Sequence, residues 1–180
     1  MSPEPVSPWK EFLEDLDSLL TEPVKLNCIG GFAVVAAYGL PRSTNDLDYF
    51  SIEPYACAAE LETIAGQGSA LARKRKLHLQ RAGVASLPEG YDERLIELYP
   101  GHFKNLRLFV PDPYDLVLSK LTRNADRDRE DVRHLARTCS LDPNVLRDRY
   151  QNEMRSIVIG DSEYHDATLE FWIEAYFSEK

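Results

Sequence analysis

Apolar residues recur at intervals of three and four near the start of the chain and at intervals of two shortly afterwards. The stretch "WKEFLEDLDSLL" follows Pro8 and predicts an amphipathic first helix. "VKLNCIG" is a short β-type run, and "FAVVAAYGL" predicts a buried helix that ends at Gly39 and Pro41. "DLDYFSI" predicts a strand with Asp46, Asp48 and Phe50 on one side and Leu47, Tyr49 and Ser51 on the other.

The rest of the chain divides into a mixed segment and a helical one. "PYACAAELETIAGQGSALARK" predicts two helices separated at Gly66 to Gly68, while "KLHLQRAGVASL" and "NLRLFV" predict short strands. From position 112 the patterns are helical, and Asp112 followed by Pro113 is a strong helix start. We therefore predict an α+β fold with an α/β core in residues 1–110 and a helical region in 111–180, packed together as a single compact unit.

Composition narrows the class of protein. Of the 180 residues, 43% are apolar and 28% are charged, and the sequence has neither a secretory leader nor an apolar stretch able to span a bilayer, so a cytoplasmic globular protein is expected. The net charge of −9 argues against a general nucleic-acid binder, because such proteins carry a positive surplus. Any nucleic-acid contact would be local, through "ARKRK" at 72–76 or the arginines between Arg123 and Arg137, and both segments are also typical of solvated helix faces.

Several reactive or aromatic residue types are assigned structural roles. The three cysteines are widely spaced in apolar or helical patterns and fit reduced thiols: Cys28, Cys57 and Cys139. His78 lies in a strand pattern and is interpreted as a packed histidine at the edge of the core. The aromatic residues near the C-terminus are interpreted as core, with contact to a partner protein as the alternative: Tyr164, Phe171, Trp172, Tyr176 and Phe177.

The stretch "CIGGFAVVAAYGLPRSTNDLDYFS" combines two features that bind phosphate and metal. Asp46 and Asp48, at i and i+2 on a strand, project from the same face, where two close carboxylates repel each other unless a cation such as Mg²⁺ or Mn²⁺ lies between them. Gly30 and Gly31 lie between a strand and a helix, where missing side chains let a phosphate approach the first N–H groups of the helix. This arrangement is typical of phosphoryl or nucleotidyl transfer.

These residues resemble the signature of the DNA polymerase beta-type nucleotidyltransferase superfamily, in which Gly-Gly or Gly-Ser, a helix and an Asp-x-Asp strand follow one another. The resemblance is closest to small bacterial proteins related to the AbiEii toxins of toxin–antitoxin systems, whose Arg-x-Thr-x-Asp-x-Asp pattern is matched at Arg42, Thr44, Asp46 and Asp48. It implies a nucleotidyltransferase fold with a small mixed sheet flanked by helices. It also implies an NTP substrate, a divalent cation, a tRNA end as leading acceptor and a cognate antitoxin as partner.

A later motif of the same family is matched by "DLVLSKLTRNADRDREDVRHL", at Lys120, Arg123, Asp128 and Asp131. Lys120 would bring a point charge to the phosphates of the nucleotide, with Arg123 nearby, or would be an ordinary helix lysine. Asp128 would orient Lys120, act as a base, or pair with neighbouring arginines. Of the residues in the first motif, Thr44 would contact a phosphate or end the turn, and Arg42 would stabilise transferred charge or remain solvated.

One departure from the superfamily pattern concerns a third carboxylate, which polymerase-type enzymes place on a neighbouring strand. "KLHLQRAGVASL" and "NLRLFV" contain neither Asp nor Glu. Four residues are alternatives for the missing group: Asp92, Glu93, Glu97 and Asp128. The other class of function compatible with this departure is a catalytically degenerate fold that binds a nucleotide or a partner protein.

Overall fold

A computed structural model describes residues 4–177 and has an α+β fold, as predicted. The helices are α1 (Trp9–Leu19), α2 (Gly30–Tyr38), α3 (Ala58–Ala65), α4 (Ala70–Arg75), α5 (Pro113–Ser119), α6 (Asp126–Thr138), α7 (Pro143–Arg149) and α8 (Ser162–Tyr176). The strands are β1 (Val24–Ile29), β2 (Asp46–Glu53), β3 (His78–Arg81), β4 (Ile96–Leu98) and β5 (Leu106–Val110). None of the helices in this described part of the chain is both long and apolar enough to cross a membrane.

The strands form one mixed sheet in the order β3-β2-β1-β5-β4. β1 is antiparallel to β2 and parallel to β5, β2 is parallel to β3, and β4 is antiparallel to β5. β2 therefore has β1 on one side and the edge strand β3 on the other. The sequence pattern did not predict β4, which is only three residues long.

The described residues group into two compact units. Unit 1 runs to Val84 and resumes over Ile96–Val110, so it contains the whole sheet and helices α1 to α4. Unit 2 consists of Ala85–Leu95 and the residues from Pro111 onward, with helices α5 to α8. The packing of the chain as a single compact unit stays a prediction.

The core of unit 1 joins α1 and α2 to the sheet. Phe12 and Leu16 of α1 and Leu26 of β1 are completely buried, and the ring of Trp9 packs edge-on against Phe32 of α2 at 4.8 Å between centroids. Burial of this kind is the main stabilising contribution to a fold.

A carboxylate fixes the end of α1 to the segment that leads into β5. Asp17 accepts hydrogen bonds from the backbone N–H groups of Lys104, Asn105 and Leu106, at 3.1, 2.7 and 2.8 Å. These bonds satisfy backbone donors that a loop would otherwise leave to solvent.

Unit 2 is organised around a buried acid. Asp112 caps α5 by accepting the N–H of Asp115, as its position before Pro113 predicts. Asp115 is itself completely buried, and Arg94 and Arg149 donate to its carboxylate at 2.9 and 3.0 Å. Burial raises the pKa of Asp115 in spite of these two cations. Arg94 thereby anchors the segment 85–95 within unit 2.

The last helix corrects the interpretation of the C-terminal aromatic residues as core. Trp172 is completely buried, but Tyr164 and Phe171 of the same helix are more than half exposed. The cysteines agree with their prediction, since Cys28, Cys57 and Cys139 are free thiols and the first two are buried.

Candidate active site

The connection from β1 to α2 requires glycine at its first position. Gly30 opens α2 with φ +75°, in the left-handed region that favours glycine, and a Cβ on it would lie 2.5 Å from Oδ2 of Asp48. At Gly31 a Cβ would lie 2.9 Å from Nη2 of Arg42 and 3.7 Å from Oγ1 of Thr44. The two missing side chains thus let the carboxylate, the guanidinium and the hydroxyl approach the first turn of α2.

The two aspartates lie on the more open face of β2. Asp46 and Asp48 are half-buried, whereas Leu47 and Tyr49, which point to the opposite face, are completely buried. The hydroxyl of Thr44 donates a hydrogen bond of 2.7 Å to Oδ1 of Asp46 and so orients that carboxylate. Because Thr44 contacts the carboxylate of Asp46 directly, we describe Thr44 as a positioning residue for Asp46.

The alternation along β2 holds only as far as Tyr49. Asn27 of β1 pairs with Ser51 and Cys28 pairs with Tyr49, so Phe50 is an extra residue that forms a bulge. Beyond the bulge Ile52 is the buried residue. Ser51 therefore lies on the face opposite to Tyr49 and Ile52, so its assignment to the side of Leu47 and Tyr49 is wrong, while the assignment of Asp46 and Asp48 to one face stands.

The six residues of the first motif therefore come together in unit 1: Gly30, Gly31, Arg42, Thr44, Asp46 and Asp48. Their donor set fits a divalent cation that prefers oxygen ligands, because two carboxylates share an open strand face. The carboxylate of Asp48 also reaches the start of α2, because a Cβ on Gly30 would lie 2.5 Å from its Oδ2. A phosphate held by the first N–H groups of that helix would therefore lie beside the acid. The sequence hypothesis of Mg²⁺ or Mn²⁺ on Asp46 and Asp48 is thus compatible with the geometry.

The neighbouring strand carries no third carboxylate. On β3, His78 pairs with Asp46 and Gln80 pairs with Asp48. Among residues 4–177, no group of three or more His, Cys, Asp or Glu side chains is arranged so that it could share a metal ion.

One of the proposed sources of a third carboxylate is excluded by the sheet order. Glu97 lies on β4, three strands away from β2, which corresponds to about 14 Å. Both of its carboxylate oxygens accept hydrogen bonds from Arg107, at 2.8 and 2.9 Å. The hypothesis that Glu97 supplies the missing acid is therefore wrong. Asp92, Glu93 and Asp128 belong to unit 2.

The second motif forms a buried ionic cluster in unit 2. Lys120, immediately after the end of α5, is only 3% exposed, and its Nζ lies 2.8 Å from Oδ2 of Asp131 and 3.6 Å from Oδ1 of Asp128. Arg123 donates to both oxygens of Asp128, at 2.7 and 2.6 Å, and the N–H of Ala125 donates to the same carboxylate at 3.0 Å. The four motif residues are thus joined to one another.

The electrostatics of this cluster bear on the roles considered for Asp128. Burial alone would raise the pKa of its carboxyl group, but the hydrogen bonds from Arg123 and the charge of Lys120 outweigh burial and hold the pKa below its ordinary value. A carboxylate with a low pKa accepts a proton weakly, so the geometry favours the orienting role for Asp128 over the role of a base. Asp131 is the nearer partner of Lys120; its spacing of three from Asp128 on α6 is the signal that the two acids share a helix face.

Comparison with known proteins gives the family. Residues 10–179 match the family described as a nucleotidyltransferase of unknown function (DUF6036), and the chain belongs to that family. Searches of curated proteins and of solved structures gave no match. The family assignment agrees with the class of protein that the fold and the first motif indicate.

Proposed function

We propose that the protein is a metal-dependent nucleotidyltransferase that transfers a nucleoside monophosphate from an NTP to an acceptor hydroxyl. The observation that carries the proposal is the joint placement of Asp46 and Asp48 on one open strand face, against the glycine start of α2, in a chain of a nucleotidyltransferase family. Carboxylates, a cation and helix N–H groups are the groups that hold a triphosphate for in-line displacement.

In the proposed reaction the acceptor oxygen forms a bond to the α-phosphorus, and the bond from that phosphorus to the bridging oxygen breaks, so that pyrophosphate leaves. The proton of the acceptor hydroxyl passes to solvent. Asp46 and Asp48 would hold Mg²⁺ or Mn²⁺, which neutralises the charge that develops on the phosphate oxygens. Thr44 keeps Asp46 in position, and Arg42 lies over Gly31, where it would meet phosphate charge.

The proposed contribution of the second motif is to nucleotide binding. Lys120 and Arg123 would contact the triphosphate, and Asp128 would orient them. Because the ammonium of Lys120 is buried against Asp131, contact with a phosphate would require it to exchange one anionic partner for another. This role therefore depends on a rearrangement of the cluster when the nucleotide binds.

The acceptor and the biological setting are proposals that rest on the resemblance to AbiEii-type proteins. The leading acceptor is a tRNA end, and the protein would act in the cytoplasm as the toxin of a toxin–antitoxin pair with a cognate antitoxin as partner. A protein hydroxyl or a small molecule would need the same donor site, so the donor half of the proposal is independent of the acceptor.

A second candidate function is favoured by the missing third carboxylate. A degenerate nucleotidyltransferase fold that only binds a nucleotide or a partner protein would need no acid on β3, where His78 and Gln80 stand beside the aspartates.

Transfer from α-³²P-labelled NTPs to total tRNA distinguishes the two functions. Asp46→Asn and Asp48→Asn should each lower labelling on the order of 10³-fold, since each removes a metal ligand whose effect is greatest in the transition state. Asp15→Asn, on α1 and paired with Lys74 and Arg75, is the matched control and should label like the wild type. Labelling unaffected by both active-site variants would contradict the transferase proposal, and labelling absent from the wild type with every NTP would contradict tRNA as the acceptor.

A further inference from the structure

The open face of the sheet around the aspartates carries few negative charges. Asp48 has Ile29 as its partner on β1 and Gln80 as its partner on β3, and Asp46 has His78 as its partner on β3. Partners on neighbouring strands point to the same face, so these side chains, none of which is a carboxylate, flank the two acids. The sheet thus supplies two carboxylates and no third anionic group beside them.

Burial along the two strands supports this assignment of faces. Leu79, which pairs with Leu47, is buried together with it, whereas Gln80 is exposed and His78 is half-buried. Gln80 therefore shares the open face with Asp48, one strand spacing of about 4.8 Å away. A carboxamide on a side chain of this length reaches a cation held by Asp48.

The chemistry of Gln80 and His78 separates their roles. A carboxamide oxygen is an ordinary ligand of Mg²⁺-type cations, whereas imidazole suits softer metals. His78 with Asp46 and Asp48 does not form a three-ligand metal group among the residues that the structure describes. Gln80 is consequently the side chain on β3 that is suited to complete the site.

A second divalent cation, about 3.5–4 Å from the first, would add two positive charges to this face. Such a pair is stable only where further anionic ligands offset the repulsion. The two aspartates balance one divalent cation, and the guanidinium near Gly31 adds positive charge of its own.

We propose that Gln80 takes the place of the third carboxylate, so that the nucleotide-free protein binds a single divalent cation through Asp46, Asp48 and the carboxamide oxygen of Gln80. This inference rests on the proposed function, because it concerns the same metal site. The proposed metal site thus differs from a site in which three acids hold two cations.

Titration of the 180-residue chain with Mn²⁺ in the absence of nucleotide tests the inference, with free Mn²⁺ measured by electron paramagnetic resonance. The wild type should bind one Mn²⁺. Gln80→Ala should weaken binding several-fold, and Gln80→Glu should strengthen it about tenfold, because it adds an anionic oxygen ligand. Gln67→Glu is the matched control, because it adds the same charge on an exposed turn away from the aspartates. The neighbouring Gly66 pairs with Leu79 of β3, which places Gln67 about two strand spacings from β2. Mn²⁺ binding by this variant should equal that of the wild type.

The outcomes separate the inference from the proposed function. Binding of two Mn²⁺ by the wild type, or equal affinities of wild type, Gln80→Ala and Gln80→Glu, would overturn the role of Gln80. If Mn²⁺ binding does not depend on residue 80 but is lost in Asp48→Asn, the metal site on the aspartates and the proposed function still stand. No binding by the wild type at millimolar Mn²⁺ would overturn both.

Discussion

Gly30 and Gly39, at the two ends of α2, have almost the same φ angle but different surroundings. Their φ angles are +75° and +69°. A Cβ on Gly39 would meet nothing within 4 Å, whereas a Cβ on Gly30 would lie 2.5 Å from Oδ2 of Asp48. At Gly39 only the φ angle favours glycine, whereas at Gly30 the nearby carboxylate of Asp48 also excludes a side chain. Substitutions at the two positions therefore distinguish these two reasons for glycine.

Alanine substitutions at these positions should differ in effect. Gly39→Ala should lower the free energy of unfolding by about 1 kcal/mol, the cost of a side chain in the left-handed region. Gly30→Ala should lower it by a further 1–3 kcal/mol, roughly, because Asp48 must also move. Urea denaturation measures both values, and Mn²⁺ binding should fall only in Gly30→Ala. Equal losses of stability with unchanged Mn²⁺ binding in both variants would refute the close contact of Gly30 and Asp48.

At the scale of the element, α6 is held at its first turn by a buried acid. Asp128 is 1% exposed and accepts hydrogen bonds from Arg123 and from the N–H of Ala125. These bonds join the start of α6 to the turn that follows α5, and Asp131, one turn along, extends the same attachment to Lys120.

Acid should weaken this attachment. The pKa of Asp128 is lowered in the folded protein, so its contribution to stability is fully present above the pKa of the unfolded state, about 3.9, and is lost as the pH falls through the lower folded value. Asp128→Asn should cost roughly 3 kcal/mol at pH 7, because it removes one member of a buried ionic cluster. It should also lose less stability than the wild type on acidification below about pH 4.

The same turn offers a control for this prediction. Asp126, whose side chain is 90% exposed, pairs with Arg129, and Asp126→Asn should follow the acid dependence of the wild type. Chemical denaturation at a series of pH values measures all three proteins. Identical acid dependence of Asp128→Asn and wild type would show that Asp128 does not titrate below its ordinary range.

At the scale of the whole molecule, each compact unit contains one of the two tryptophans. Trp9 is buried in unit 1 and Trp172 in unit 2. The segment 85–95 belongs to unit 2, although both of its ends continue into unit 1, so the chain passes between the units at 84/85, 95/96 and 110/111. The units thus share three covalent connections, and unfolding of either unit lengthens the flexible chain that the other must close.

Single-tryptophan variants test whether the chain is the single compact unit that its sequence predicts. Trp9→Phe leaves Trp172 as the reporter of unit 2, and Trp172→Phe leaves Trp9 as the reporter of unit 1. In each variant we expect the fluorescence transition in urea to coincide with the transition of the far-ultraviolet circular dichroism, as for a cooperative unit. A fluorescence midpoint that differs from the circular dichroism midpoint in either variant would instead show that the units unfold separately.

The sequence by itself determined the features that depend on neighbouring residues. Asp112 before Pro113 starts a helix, Gly39 ends one, and alternation places Asp46 and Asp48 on one strand face, because capping, backbone freedom and side-chain direction act within a few residues. The first motif was predictable for the same reason, since its six residues lie within nineteen positions, 30–48, of the chain.

Only the tertiary structure decided which distant segments meet. The placement of Gln80 beside Asp48, the distance of Glu97 from the site, the bulge at Phe50 and the very short β4 all follow from how the strands pair within the sheet. Likewise, the burial of Lys120 against Asp131 depends on how α5 and α6 pack. Such pairings are selected by the burial and hydrogen bonding of the whole chain, which no local pattern of residues contains.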